Sequence, residues 1–367
     1  MGWFTISNIS EIDSPALIIY PDQVKENLRV LKDFVPDTNR LRPHVKTNKC
    51  AQVCQMMMEA GIKKFKAATI AEAEMLAMIN APDVLLAYQP IGPRGVRFVQ
   101  LIKKYPSTRF GCLIDNEETA KELSVLASRE QIKIRIWIDL NVGMNRTGIL
   151  PEQALELYSF ISSLKNLEVV GLHAYDGHHN MDDLDTRTKG CDEGYLRVEN
   201  LQKEISKLSG KTVTIVTSGN TTISIHAKRK DVEVSPGTFI FWDYGYHKKF
   251  VEQPFVFGAL LITRILSKPT DETITVDLGH KSVASENPIQ NRIHFLNAPE
   301  LEALGHSEEH LILKAPKGNQ LKVGDVLYGV PFHICPTVAL HEFAWVAQNG
   351  VAKDQWPIVA RKRKINI

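Results

Sequence analysis

The chain has 367 residues, 44% of them hydrophobic and 23% charged, with a formal net charge of +2. That length accommodates one large domain plus a smaller one. The near-neutral balance, without an arginine-rich arm or basic helix, argues against a dedicated nucleic-acid binder, and no apolar stretch approaches the roughly 20 residues of a membrane span. The five cysteines, Cys50, Cys54, Cys112, Cys191 and Cys335, are odd in number and scattered, as expected of reduced cytoplasmic thiols. Residues 1–15 lack the basic region and apolar run of a secretory leader, which points the same way. The basic tail Arg361-Lys362-Arg363-Lys364 reads as a solvated end.

In chain order, strand-like runs fall at Leu41 to Lys46, Lys64 to Ala68, Val84 to Tyr88 and Phe110 to Ile114. They continue at Ile132 to Leu140, Val169 to Tyr175, Val213 to Val216 and Asp231 to Val234. The second to fourth are short apolar runs, as parallel strands buried on both faces should be. Helix signals alternate with them. Thr69 with Glu72, and Asp115 with Glu118, read as capping boxes, and Pro151 suits the first turn of a helix through Leu164. Gly61 and Gly210 fall where helix C-caps belong. Eight strand–helix repeats predict an α/β fold, a (β/α)8 TIM barrel over residues 21–250. A doubly wound open sheet shares these local patterns, but no G-x-G-x-x-G follows the first strand. After about residue 252 helical periodicity nearly vanishes. Short apolar runs at Phe257 to Leu266, Thr273 to Leu278, His310 to Leu313, Val326 to Tyr328 and Val338 to Ala347 predict a β-rich second domain over 251–367. Residues 1–20 are expected to join it, with Ala16 to Tyr20 as an added strand.

Side chains at the C-terminal ends of barrel strands share one mouth. Lys46 ends the first strand within Arg42-Pro43-His44-Val45-Lys46-Thr47-Asn48-Lys49, where like charges disfavour its ammonium form and favour nucleophilic use. Burial decides whether such a lysine is reactive or merely solvated. Ser218-Gly219-Asn220-Thr221-Thr222 ends the seventh strand and opens a helical turn, and Pro236-Gly237-Thr238 follows the eighth. Small residues there let backbone N–H groups approach a phosphate. A phosphate cup opposite a nucleophilic lysine points to pyridoxal phosphate. Arg146 could then hydrogen-bond that cofactor's phenolate oxygen, and Tyr175 could meet its ring. In the second domain His333 and Cys335, two apart in an expected strand, would face one side and grip one ion. Imidazole with thiolate favours zinc over magnesium. Asp277, Lys281, Glu308, Glu309, His310 and His341 are further polar candidates.

These residues carry a resemblance. The segments "SPALIIY", "RPHVKTNK", "AATIAEAEML", "DVLLAYQPIGP", "GMNRTG", "GLHAYDGH", "VTSGNTT", "VEVSPGTFIFWD", "VDLGHKS", "SEEH" and "HICPT" resemble the fold-type III pyridoxal-phosphate enzymes typified by alanine racemase, in the D-threonine aldolase and D-serine dehydratase branch. The resemblance implies that Lys46 carries the cofactor as a Schiff base and that Arg146 contacts its phenolic oxygen. It implies that Ser218, Gly219, Asn220 and Thr221 with Gly237 and Thr238 hold the phosphate, and that His333 and Cys335 bind a divalent metal. Zinc is the first expectation, with manganese or magnesium as alternatives. A homodimer acting on a D-amino acid also follows from the resemblance. Asn48 stands where many relatives carry histidine, and the Ser218–Thr222 loop is less glycine-rich than usual. The expected reaction is retro-aldol cleavage of a D-β-hydroxy amino acid to glycine and an aldehyde, with His178 as the hydroxyl base. Dehydration of D-serine or D-threo-3-hydroxyaspartate is the alternative. A non-catalytic cofactor carrier, or a racemase using Tyr328 as second base, ranks lower.

Overall fold

The structure is a computed structural model and describes residues 2–367. The described residues form two compact units. One comprises residues 2–30, Thr47–Val53 and Thr238–Arg361, and the other Leu31–Lys46, Cys54–Gly237 and Lys362–Ile367.

The chain begins with strand β1 (Ala16–Ile19) and helix α1 (Pro21–Phe34). Helix α2 (Ala51–Glu59), β2 (Lys64–Ala67), α3 (Ile70–Met78), β3 (Asp83–Leu86), α4 (Pro93–Lys104), β4 (Arg109–Ile114) and α5 (Glu117–Arg129) follow. Then come β5 (Ile134–Asp139), α6 (Ala154–Ser163), β6 (Leu167–Ala174), α7 (Leu184–Ser209), β7 (Thr214–Thr217), the single turn α8 (Ile223–His226) and β8 (Val232–Val234). Strands β2 to β8 form one parallel sheet in sequential order. The expected first strand is not a ladder strand: Pro43 has no N–H to donate, and residues 41–46 make only isolated bridges. Those bridges nonetheless span both edges, Leu41 to Val234 of β8 and His44 to Lys66 of β2. The expected α/β barrel is therefore present, closed by an irregular eighth segment.

The barrel is filled with side chains. Trp137 packs with Leu85, Leu113 and Val216 at its centre. The flanking strands offer glycine where the indole lies: a Cβ at Gly111 would sit 2.3 Å from Trp137 Cζ3, and one at Gly171 2.2 Å from Nε1. Arg42, 1% exposed, lies over that ring with its guanidinium 5.2 Å from the centre and pairs with Asp83 and Glu233, each at 2.6 Å. Local start signals are mostly as expected. Thr69 Oγ1 accepts from Glu72 N at 3.1 Å to cap α3. On α5 the cap is Asn116, accepting from Thr119 N at 2.8 Å, one residue beyond the expected Asp115. Asp115 instead accepts from Gln89 Nε2 and from Gly148 N, tying two loops together.

The second unit is built on α9 (Tyr244–Lys249), β9 (Ala259–Thr270), β10 (Thr273–Val276), β11 (Ile293–Phe295), β12 (Glu302–His306) and β13 (Leu311–Lys314). Strand β14 (Val326–Pro331), helix α10 (Ile334–Leu340), β15 (Phe343–Gln348) and β16 (Val351–Pro357) complete it. Its sheet runs β12-β13-β10-β9-β1-β15-β16, with β14 also on β9 and β11 on β14. Strand β1 pairs antiparallel with β9 and parallel with β15, the added strand expected of the N-terminal segment. Ile18, Leu260, Ile262, Val330 and Ala347 form its core together with Tyr20 and Tyr328. The apolar run expected from Val338 to Ala347 divides between α10 and β15, since His341 leaves the helix in extended geometry (φ −95°, ψ 140°). No helix among the described residues is long and apolar enough to cross a membrane.

Candidate active site

Lys46 ends the closing segment and is exposed, unlike Arg42 to Val45 before it. The crowding that the sequence assigns to it has a different distribution. Arg42 is turned to the barrel floor and neutralised by its two carboxylates, while Lys49 lies in the other unit with a left-handed backbone (φ 49°). Electrostatic pressure falls on Lys66, a residue that the motif search did not single out. Lys66 is 2% exposed, and burial first, then the charges of Lys46, Arg42 and Arg146, lower its pKa to about 7 despite Asp139. Its Nζ lies 3.4 Å from His173 Nε2, whose Nδ1 meets Asp139 Oδ1 at 2.7 Å. A sequence signal existed: the alternation Lys64-Phe65-Lys66 in a strand of a buried parallel sheet places a lysine where apolar residues are the rule.

Tyr175, just beyond β6, carries the Arg146 guanidinium 5.2 Å from its ring centre and Lys66 Nζ at 5.5 Å. Its ring needs glycine on both sides: a Cβ would sit 2.1 Å from its hydroxyl at Gly177 and 2.9 Å from Cε2 at Gly219. Arg146 is exposed on a loop that Asn141 shapes by accepting from Gly143 N and Asn145 N, and among the described residues it has no carboxylate partner. His178 stacks on His179 with ring centres 3.9 Å apart, and its Nδ1 is buried without a hydrogen-bond partner among the described residues. Burial, then His179, lowers the His178 pKa, so the ring is neutral near pH 7 and can accept a proton.

The loop after β7 bears the marks of an anion cup. Ser218 adopts a left-handed backbone (φ 73°), and Asn220 Oδ1 accepts from Gly237 N at 2.8 Å, joining the two small-residue loops. The Thr221 hydroxyl is buried, with no partner among the described residues. A buried hydroxyl without a partner is costly unless a ligand supplies one, and a phosphate oxygen does so. The residues present thus fit the phosphate of a pyridoxal cofactor. The loop is anchored from below: Thr222 Oγ1 donates to Asp176 Oδ1 at 2.8 Å, and Asp176 Oδ2 meets His226 Nε2 at 2.7 Å. Asp176, Cys191 and His226 hold ligand atoms within 4.8 Å of one another. However, Arg229 donates to His226 Nδ1 at 3.2 Å, and its fixed charge in a closed hydrogen-bond network opposes a cation there.

In the other unit His333 and Cys335 are not two apart on a strand. His333 is the extended N-cap (φ −136°, ψ 101°) of α10, and Cys335 is that helix's second residue. Pro336, which would interrupt a ladder strand, is tolerated in a first helical turn. Buried Asp243 accepts from Ile334 N at 3.2 Å and so fixes the helix start. The two side chains still meet. Burial works against protonation of His333, but its hydrogen bond to Cys335 and the charges of Cys335 and Asp243 raise its pKa to about 9. His333 Nδ1 also contacts Glu286 Oε1 at 2.5 Å, the carboxylate–imidazole pairing that orients metal-binding histidines. Cys335 Sγ lies 3.1 Å from Thr47 Oγ1 and 3.5 Å from Thr238 Oγ1, the residues that follow Lys46 and Gly237 in the chain. An imidazole beside a thiol suits a soft divalent ion. The remaining polar candidates serve elsewhere: Asp277 takes Ser14, Thr263 and Arg264 N, Lys281 pairs with Glu308 and Glu309, and His341 meets the Ser282 carbonyl. Tyr328 is 6% exposed, and its hydroxyl accepts from Ile6 N, which makes it core and not a second base.

Comparison with known proteins places these features in context. Residues 19–245 match the family described as "Alanine racemase, N-terminal domain", and residues 259–347 match a "Putative serine dehydratase domain". A D-threonine aldolase of an Arthrobacter species is 23% identical over 364 residues, covering 96% of this chain and 94% of the relative. A 3-hydroxy-D-aspartate aldolase of Paracoccus denitrificans strain Pd 1222 is 25% identical over 366 residues, covering 96% and 93%. Among solved structures, D-threonine aldolase from Filomicrobium marinum superimposes with a TM-score of 0.89 at 24% identity, over 96% of this chain and 97% of that one. D-threo-3-hydroxyaspartate dehydratase from Delftia sp. HT23 gives 0.78 at 18% identity, over 94% and 97%.

Proposed function

Because this chain belongs to the family of the alanine racemase N-terminal domain, we propose that it is a pyridoxal-phosphate-dependent lyase acting on D-β-hydroxy amino acids, cleaving them in retro-aldol fashion to glycine and an aldehyde. The observation that carries the reading is the union, in one chain, of that family's barrel bearing Lys46 with a dehydratase-type second segment bearing His333 and Cys335. Both curated aldolase relatives align over 96% of the chain.

In this reading Lys46 holds the cofactor's aldehyde end, the Ser218–Thr221 loop with Gly237 and Thr238 holds its phosphate, and Arg146 and Tyr175 hold its phenolic oxygen and ring. When bound, pyridoxal phosphate supplies an electron sink for the pair left on Cα. His178, its pKa lowered by burial and by His179, is the base that receives the proton of the substrate's β-hydroxyl. His333 and Cys335 would hold a divalent ion, zinc first by donor softness, and that ion would supply Lewis-acid chemistry. A homodimer is part of the same reading.

One observation favours a second reaction, loss of water to give a 2-oxo acid and ammonia: the serine dehydratase match over residues 259–347. The test is purified protein given pyridoxal phosphate and zinc, then D-threonine or D-serine, with glycine and ammonia assayed separately. Glycine from D-threonine is the expected result. Ammonia without glycine from either substrate overturns the aldolase assignment. Full turnover after exhaustive chelation overturns the metal role.

A further inference from the structure

Lys66 is the most unusual ionisable group outside the roles assigned above. It is enclosed in the barrel, and among the described residues its amine has no carboxylate within ion-pair distance. Its partners are His173 Nε2 at 3.4 Å and the face of Tyr175 at 5.5 Å. Every charged or titratable group that faces it is identifiable. From the closing segment come Lys46 and Arg42, from β5 Asp139, from the following loop Arg146, and from β6 His173 with Tyr175 beyond it. Arg42 is already neutralised by Asp83 and Glu233, whereas Asp139, hydrogen-bonded to His173, keeps its negative charge. Lys46, Lys66 and Arg146 therefore face one another with Asp139 as the one anion among these groups.

A buried cation needs a counter-charge, or it gives up its proton. The geometry points to Lys66 as a charge-adjusting amine of the site, which takes up a proton when an anionic pyridoxal cofactor enters and thereby couples cofactor affinity to pH. The proposal rests on the cofactor reading above and adds a role for a residue which that reading leaves idle. The proton is held on Lys66 Nζ. His173 does not compete for it, because burial, then Lys66, lowers its own pKa, and its Nδ1–H is directed to Asp139. In the free protein Lys66 has a pKa of about 7. Above that pH the amine is mostly neutral, and the phosphate and phenolate charges of a bound cofactor raise its pKa. Affinity is then highest below about pH 7, where the amine is already charged, and falls as pH rises through the window between the free and bound values.

The test uses 4′-deoxypyridoxine 5′-phosphate, which keeps the phosphate and phenol but has no aldehyde, so Lys46 chemistry does not contribute. Calorimetric titration at about pH 8 in two buffers of different ionisation enthalpy gives the protons exchanged per ligand bound. Ionisations of the ligand itself are common to all variants and cancel in the difference. Wild type is expected to take up on the order of one proton more than Lys66→Met. Its affinity should fall by up to tenfold per unit more steeply than that of Lys66→Met from about pH 7 to 9. Lys66→Arg keeps the charge permanently and should bind tightly with no such slope, so the test survives a folding failure of the methionine variant. Equal proton counts in wild type and Lys66→Met, or a wild-type slope retained in Lys66→Arg, overturn the proposal. Wild-type protein that binds neither the analogue nor pyridoxal phosphate overturns the cofactor reading, and the proposal with it.

Discussion

Among single residues, the site depends on which amine is exposed and which is enclosed. Lys46 reaches solvent at the barrel mouth, where an aldehyde can approach it, whereas Lys66 is sealed 2% exposed among cations. Covalent attachment is therefore proposed for Lys46. Lys46→Ala should lose the visible absorbance that pyridoxal phosphate acquires on joining a protein amine, with at least a hundredfold loss of turnover expected for removal of a covalent catalyst (about 3 kcal/mol or more). A borohydride-reducible adduct that persists in that variant, found on Lys66 by peptide mapping, would reverse the two roles. For His178, the proposed hydroxyl base, burial and the neighbouring His179 lower the pKa and so favour the neutral ring.

Between residue and fold stands the element that shapes the proposed anion cup, the turn from β7 into α8. Four residues of helix are too few to hold a loop rigid by themselves. The rigidity comes from Asp176, which receives Thr222 Oγ1, His226 Nε2 and the Cys191 thiol. Burial acts to raise the Asp176 pKa, but His226 beside it and these hydrogen bonds hold it down at about 2. A carboxylate depressed in the folded state contributes stability above its unfolded value of about 3.9, and that stability is lost as pH falls through the folded value. Denaturant titrations of wild type should therefore lose roughly 2 kcal/mol between about pH 4 and 2 that Asp176→Asn does not lose, on top of the variant's lower stability near neutrality. Equal acid slopes in the two proteins would remove Asp176 as the anchor. The same scale explains His333 and Cys335. An extended N-cap and a proline in the first helical turn bring together two side chains that the sequence reading placed on a strand.

For the whole molecule, the closed barrel depends on a buried ion network beneath its floor. Arg42 bridges Asp83 of β3 and Glu233 of β8, Arg135 of β5 adds a second contact to Asp83 at 2.8 Å, and Trp137 lies under both guanidinium groups. Arg42 sits on the irregular segment that joins the two sheet edges, where ladder hydrogen bonds are fewest. Arg42→Met removes the fully buried partner of two carboxylates, leaving Asp83 to Arg135 and Glu233 to Lys64, and should cost about 3 kcal/mol, read as a lowered denaturant midpoint with unchanged slope. A loss under 1 kcal/mol would show that closure rests on apolar packing alone.

The sequence by itself determined the parts of this protein that follow from local period and residue type. Alternating short apolar runs and capped helices specify the barrel, because strand and helix periodicities are properties of neighbouring residues. The same local logic put Lys46 and the Ser218–Thr222 loop at strand ends. The tertiary structure alone decided what depends on burial and on charges far apart in the chain. It turned Arg42 away from Lys46 into a pair with residues 41 and 191 positions distant, and it surrounded Lys66 with Lys46, Asp139, Arg146 and His173. It also buried Tyr328 in the core and made a helix start of the His333–Cys335 pair. Coulomb energies and desolvation depend on through-space distance and enclosure, and neither is a function of spacing along the chain.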